Sequence, residues 1–315
     1  MKKVLILMEL NSRQREKLEA AGAGADITFS RPELVSEEEI QGANVIIGLP
    51  RADMIKASKN LELLQLESAG ADAYIVPGVL DEKTRLANAT GAYSQAVAEH
   101  AFALTLMLQK KLHLYRDEQR AARWRDRGIV GSLRGATVAV VGLGDIGGYY
   151  ARLVKSMGAY VIGVKRRPGP CPEYVNELML TGQLDEALPR ADVIMSVLPN
   201  TVATRYIYTD RSFRLMKNSA IFINCGRGNA VSAQTLYSAL KDGQIAAAGI
   251  DVAENEPLPE DSPLWGLENL VITPHVSGGH HLPETVERIA DICAGNLRSF
   301  LAGEPLKNLV DFSTG

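Results

Sequence analysis

A glycine-rich turn between a short apolar run and a helical pattern limits this chain more than any other feature. The segment "VAVVGLGDIGG" sets Gly142, Gly144 and Gly147 in a GxGxxG spacing, with Asp145 and Ile146 between the last two. It directly follows a short strand and opens a helix. Glycine serves three ends there: the turn is tight, the backbone must approach a pyrophosphate, and the helix must pack close to the strand. The first N–H groups of the helix and the positive end of its dipole then face the phosphates. Glycines also punctuate ordinary turns. The dinucleotide reading therefore rests on the strand–turn–helix–strand context, which continues through "YYARLVKSMGAYVIGVKRR".

Around this turn the chain alternates between β-rich runs and helical patterns. "KVLILME", "ADITF", "NVIIGL" and "LELLQLES" read as strands, with "SRQREKLEAAG", "SEEEIQG" and "RADMIKAS" as the helices between them. A long helix is predicted over roughly 95–120, apolar in its first half and polar later. A second series starts at the glycine turn and runs through "ADVIMSVLP", "SAIFINCG", "IAAAGIDV" and "LVITPH". Such alternation implies parallel strands joined by helical crossovers. At 315 residues the chain exceeds what one core organises. The last helix, from about Pro283, is long enough to return to the first domain. The expected division is therefore 1–98 plus 283–315 as one domain and 99–282 as the other.

Composition narrows the function classes. The chain is 46% apolar and 23% charged, as globular proteins are, with a net charge of −3 and no long Lys/Arg block. That argues against nucleic acid or an anionic membrane surface as partner. Cys171, Cys225 and Cys293 are odd in number and scattered, which points to a reducing compartment, hence a cytoplasmic protein. The start "MKKVLILMELNSRQ" reads as a first strand rather than a secretory leader.

Two charge patterns carry the chemistry. At the end of the strand after the glycine turn, where NAD-type sites place an acid for the ribose 2′-hydroxyl, stand Lys165, Arg166 and Arg167; Lys165 lies 18 residues after Gly147. A cationic cluster attracts a 2′-phosphate, which favours NADP(H) and leaves NAD(H) possible; a solvated basic loop is the plainer alternative. Later strand ends supply Arg227 in "NCGRG", Asp251 and Glu256 in "DVAENEPL", and His275 in "TPHVSGG". A 2-keto acid needs a guanidinium for its oxygens, a proton donor beside its carbonyl, and a carboxylate to orient that donor. Arg227, His275 and Glu256 provide one of each. Taken singly, each also has an ordinary reading, as a cap, a core ring and a loop charge.

These motifs, in this order, resemble the D-isomer-specific 2-hydroxyacid dehydrogenase family, which includes phosphoglycerate dehydrogenases and glyoxylate/hydroxypyruvate reductases. The likeness extends over nearly the whole chain, including "SAGAD" at 68–72, "AVAEHAFALTLML" at 96–108, "LPNTVATR" at 198–205 and "GEPLKNLVD" at 303–311. It implies an α/β protein of two doubly wound parallel-sheet domains, a Rossmann cofactor domain inserted in a flavodoxin-like substrate domain. It implies that Arg227 binds and polarises the keto acid, His275 is the acid/base and Glu256 its partner. Asp251 matches the residue that holds the nicotinamide carboxamide, and backbone amides at Ala69 and Gly70 match those that receive the substrate carboxylate. Leu198, Pro199, Thr204, Cys225 and Gly226 match segments lining the cofactor. The family also implies a homodimer. Lys165 departs from the acid of many NAD-using members. No regulatory domain is expected after residue 315, so a phosphoglycerate dehydrogenase of this kind would lack one. A dinucleotide-sensing binding protein or corepressor on the same fold is the alternative from another class.

The remaining candidates carry plainer expectations. His280 and His281 lack further ligands at metal spacing, so no metal is expected. His100 is expected to pack or to hydrogen-bond across the domain interface. Cys225, two residues from Arg227, is a target for thiol reagents rather than a nucleophile. Trp124 and Arg125 are candidates to reach a neighbouring subunit, and Arg51 and Tyr74 to shape substrate choice.

Overall fold

The computed structural model describes residues 1–56 and 58–312; Ala57, within the third predicted helix, and 313–315, at the predicted end of the first domain, lie outside the described residues. The chain forms two compact units, Met1–Tyr93 with His280–Gly315, and Ser94–Gly279. Both chain crossings fall a few residues before the boundaries expected from sequence, the first of them at the start of a helix and not inside it.

In the first unit β1 (Lys3–Leu7), β2 (Asp26–Phe29), β3 (Val45–Gly48), β4 (Leu63–Gln65) and β5 (Arg85–Ala87) form a parallel sheet in the order β2-β1-β3-β4-β5. This is the flavodoxin-like order. Helices α1 (Ser12–Ala21), α2 (Glu37–Gly42) and α3 (Ala52–Ile55) connect the first strands. Asn11 and Ser36 cap the first two through reciprocal side-chain bonds with Gln14 and Glu39. β5 has only three residues and begins on an exposed arginine, so no sequence pattern announced it.

The second unit begins with α4 (Ser94–Gln109) and α5 (Leu112–Arg120). These replace the single helix expected over 95–120. The break lies at Lys111, whose φ of 55° is left-handed, so the helical ladder cannot run through it. There follow β6 (Thr137–Val141), α6 (Asp145–Ser156), β7 (Tyr160–Lys165), β8 (Glu177–Leu180), α7 (Leu184–Ala187), β9 (Val193–Ser196), α8 (Asp210–Leu215), β10 (Ile221–Asn224), α9 (Ala233–Lys241), β11 (Ala247–Ile250) and β12 (Leu270–Ile272). The chain returns to the first unit through α10 (Pro283–Ala302).

Among the described residues the second sheet has seven strands, all parallel, in the order β12-β11-β10-β9-β6-β7-β8. The order reverses between β6 and β9, the doubly wound arrangement that opens a crevice beyond the strand C-termini. β9, β10 and β11 are buried along their whole length, which is why they read as unbroken apolar runs. Phe222 anchors one face through edge contacts with Tyr208 and Phe213, both almost fully buried. On the other face α4 packs against α6, where the Thr105 and Tyr150 hydroxyls lie 2.8 Å apart. No described helix is long and apolar enough to cross a membrane.

The first unit also buries a carboxyl group. Glu67 follows β4 at 9% exposure; burial, with the nearby charge of Glu9, pushes its pKa up to about 7. Tyr74, Tyr93 and Cys293 surround it and are themselves pushed upward, Tyr74 to about 12. Because the folded state holds this proton above the ordinary value of 4.5, stability falls as pH rises from 4.5 through about 7. Glu67→Gln should remove that dependence. Its stability relative to the parent should rise by on the order of 3 kcal/mol between about pH 5 and about pH 8, as read from urea denaturation at both. An unchanged difference would show that the carboxyl is ionised throughout.

Candidate active site

The glycine turn is built by backbone meeting backbone. Gly142 has a φ of 99°, and a Cβ there would lie 2.6 Å from the Val197 carbonyl oxygen; one on Gly147 would lie 2.3 Å from the Gly142 oxygen. A Cβ at Gly144 would meet no protein atom within 4 Å. Packing within the protein therefore does not require glycine at Gly144. Gly144 caps α6 without a side-chain bond, and Asp145 and Ile146 open its first turn. This cradle fits a dinucleotide pyrophosphate.

The walls of the cradle come from the neighbouring crossover loops. Leu198 and Pro199 follow β9. Thr204 closes that loop, its hydroxyl donating to the Pro199 carbonyl (2.6 Å) and accepting from the Thr201 N–H (3.0 Å). A Cβ on Gly226 would stand 2.5 Å from the Leu198 nitrogen, so the turn after β10 presses on the turn after β9. Cys225 is buried there and burial holds its thiol strongly protonated, which makes it a poor target for thiol reagents and corrects the sequence expectation. Lys165 ends β7 with its ammonium folded toward Gly169, and Arg166 and Arg167 are exposed beyond it.

Beyond β11 and β12 two loops are tied together. Asp251 is 1% exposed. Its Oδ1 accepts from the Thr273 hydroxyl (2.6 Å) and the Val276 N–H (3.0 Å), and its Oδ2 from the Ser277 N–H (3.0 Å). The His275 N–H donates to the Asp251 carbonyl at 2.7 Å. His275 itself has a φ of 52°, a left-handed conformation that costs a non-glycine residue about 1–3 kcal/mol and persists where surrounding bonds over-determine it. The result is delivery of its imidazole to Glu256: Nδ1 lies 2.7 Å from Oε2, while Oε1 accepts from the Ala253 N–H at 2.9 Å.

Asp251, Glu256, Thr273 and His275, with Trp265, line one cavity of about 430 Å³. Arg227 is not among its lining residues, and its Nη1 donates to the Gly226 carbonyl. Its loop is nevertheless locked to the same structure. A Cβ on Gly228 would fall 1.8 Å from the Ala253 carbonyl oxygen, so Arg227 is carried one residue from a backbone seated on the Asp251–Glu256 loop.

In the first unit the Ala69 carbonyl accepts from Asn88 and the Gly70 carbonyl from the Ser68 hydroxyl. Among the described residues the Ala69 and Gly70 N–H groups reach no protein acceptor. Tyr74 is buried with its hydroxyl on the Pro50 carbonyl, and Arg51 pairs with Asp53, so both are engaged within their own unit. His100 bonds Thr273, and both lie in the second unit. Trp124 is fully exposed after α5. No group of three or more His, Cys, Asp or Glu is placed to hold a metal among the described residues, His280 and His281 included. Sequence reasoning passed over Ala253, Thr273, Val276 and Ser277, three of which act through backbone N–H groups that leave no residue signature.

A dinucleotide cradle beside an imidazole–carboxylate pair, on a doubly wound sheet, defines a nicotinamide-dependent oxidoreductase. The family model of the D-isomer specific 2-hydroxyacid dehydrogenase NAD-binding domain matches residues 102–277, and the chain belongs to that family. It is 31% identical to a glyoxylate reductase of Korarchaeum cryptofilum over 82% of this chain and 79% of that protein. A D-isomer specific 2-hydroxyacid dehydrogenase family protein of Aeromonas salmonicida superposes with a TM-score of 0.87 at 32% identity, covering 99% of both chains. A D-isomer specific 2-hydroxyacid dehydrogenase of Xanthobacter autotrophicus, solved with NADPH and MES, superposes with a TM-score of 0.83 at 27% identity, covering 99% of this chain and 98% of that one.

The glycine contacts lead to a paired expectation. Gly228→Ala should destabilise the protein by about 3 kcal/mol, the top of the overpacking range, because a backbone carbonyl has to move. Gly144→Ala should change stability by less than about 1 kcal/mol yet weaken dinucleotide binding. Urea denaturation and a cofactor titration separate the two; equal stability losses would refute the assignment of Gly144 to a ligand.

Proposed function

We propose that the protein is an NADPH-linked reductase of small 2-keto acids, such as glyoxylate or hydroxypyruvate, giving the D-2-hydroxy acid. The observation that carries this reading is the His275–Glu256 pair, at 2.7 Å, on the same cavity as Asp251. Dihydronicotinamide, when bound, would supply the hydride that a keto carbon requires; Asp251 would hold its carboxamide, and the Gly142–Gly147 turn, Leu198, Pro199, Thr204, Cys225 and Gly226 would hold the rest of the cofactor. Protonated His275 gives the proton from Nε2 to the carbonyl oxygen as negative charge builds there. Glu256, itself held by the Ala253 N–H, fixes the orientation of the ring. Arg227 clamps the keto-acid oxygens, and the Ala69 and Gly70 N–H groups receive the substrate carboxylate.

Lys165, Arg166 and Arg167 favour the 2′-phosphate of NADPH, and the NADPH-bound relative from Xanthobacter supports the same choice. The domain reading of the sequence, a cofactor domain inserted in a substrate domain, is part of this proposal. So are a cytoplasmic setting and a homodimer, the latter supported by the exposed Leu112, Trp124, Ile129 and Val130.

His275→Ala should lower kcat by a factor on the order of 10²–10⁴ with little change in cofactor binding, and Arg227→Ala should lower kcat/KM for the keto acid. Both are read by NADPH oxidation on a panel of glyoxylate, hydroxypyruvate and pyruvate. Undiminished turnover in either variant refutes that residue's role, and cofactor binding without turnover on the panel would instead support a dinucleotide sensor. In parallel, kcat/KM should favour NADPH over NADH, and Lys165→Asp should shift the ratio toward NADH by about 10- to 100-fold, the worth of one charge-assisted bond. A parent enzyme that prefers NADH overturns the cofactor choice.

A further inference from the structure

We propose that His100 is a positioning residue for the nicotinamide, acting through Thr273 on Asp251; the proposal rests on the reading of Asp251 as the carboxamide holder. His100 stands on α4, and its Nε2 lies 2.9 Å from the Thr273 hydroxyl and 3.7 Å from Asp251 Oδ1. The Thr273 hydroxyl has one proton, and at 2.6 Å that proton goes to Asp251 Oδ1. Both carboxylate oxygens also accept a backbone N–H, and a carboxylate has no proton to give, so Asp251 is the acceptor in this pair. Thr273 must therefore accept from His100, which assigns the proton of the ring to Nε2. The direction of the whole chain follows: His100 Nε2–H to Thr273 Oγ1, Thr273 O–H to Asp251 Oδ1.

Lone-pair accounting gives this chain a purpose. A carboxylate offers about four acceptor directions. Thr273 and Val276 occupy two on Oδ1, and Ser277 occupies one on Oδ2. The direction left lies on Oδ2, and it suits one further N–H donor such as a primary carboxamide. If Thr273 lost its donor, its hydroxyl could turn away and Oδ1 would be free to compete for that N–H. His100 thus keeps the carboxylate in one orientation, with Oδ2 as the oxygen that would take the carboxamide N–H. Thr273 and His275 are two residues apart in "TPH", so the same bond also braces the turn that carries the imidazole.

The test compares binding of NADPH with binding of 2′-phospho-ADP-ribose, which lacks the nicotinamide, in the parent, His100→Leu, His100→Gln, Thr273→Val and Asp251→Asn. The parent should bind NADPH more tightly than the truncated nucleotide. His100→Leu should shrink that preference by about five- to tenfold, and lower kcat more than it raises the keto-acid KM. His100→Gln, which keeps an N–H donor, should retain most of it. Thr273→Val should lose as much as His100→Leu, and the double variant no more than either. If Asp251→Asn abolishes the preference while His100→Leu and Thr273→Val leave it intact, the role of Asp251 stands and that of His100 falls. Equal weakening of both nucleotides by His100→Leu would show a packing role and also overturn the proposal. A preference untouched by Asp251→Asn would remove the carboxamide reading and this inference with it.

Discussion

A buried carboxylate organises this site. Asp251 is almost wholly out of water, and a charge in that position is tolerable only when its lone pairs are met. The donors come from the Thr273–Ser277 turn, so satisfying Asp251 fixes where that turn runs. The turn in turn holds His275 in a left-handed conformation that it would not adopt on its own. The imidazole reaches Glu256 because a neighbouring charge demands hydrogen bonds from the backbone beside it. The electrostatic need of one loop thereby sets the geometry of the next, and the strain at His275 is balanced by bonds that serve Asp251 as well.

Glycine does the corresponding task between the crossover loops. Gly142 meets the backbone at Val197, Gly226 meets it at Leu198, and Gly228 meets it at Ala253. Each contact brings the turn after one strand onto the turn after another, at distances that exclude a Cβ. Arg227 sits between two of these glycines, which explains how a flexible, half-buried side chain is carried on a rigid base. Gly144 differs, because its surroundings within the protein are open. The four positions look alike in sequence, yet contacts within the protein hold only three of them to glycine.

What could be read in the sequence follows the same division. Strands buried on both faces, such as β9 to β11, announce themselves as unbroken apolar runs, and their order along the chain implied parallel sheets. β5 and β8 did not, being short and carrying charged or half-exposed residues. The break at Lys111 had no glycine or proline to mark it. The ionisable groups of the site were legible as residue types at strand ends, and Lys165, Arg166 and Arg167 stand where the motif placed them. Their partners were not legible. Ala253, Val276 and Ser277 act through N–H groups that every non-proline residue has, and the bond from His100 to Thr273 spans 173 residues. Nothing local predicts it.

The same distinction explains why a reaction class emerges from this chain more readily than a substrate. Moving a proton and polarising a carbonyl require specific side chains, and those leave their letters at fixed places. Receiving the carboxylate common to all 2-keto acids needs only amide N–H groups, the task proposed for Ala69 and Gly70. Such a site is written in backbone conformation: the Ala89 N–H and the Asn88 amide bond the Ser68 and Ala69 carbonyls on the other side of those two peptides. Discrimination among the acids must then come from side chains that meet the remainder of the molecule. Tyr74 and Arg51, the sequence candidates for that task, are already engaged with Pro50 and Asp53. A loop that spends its polar side chains on its own shape holds a carboxylate well and says little about what is attached to it.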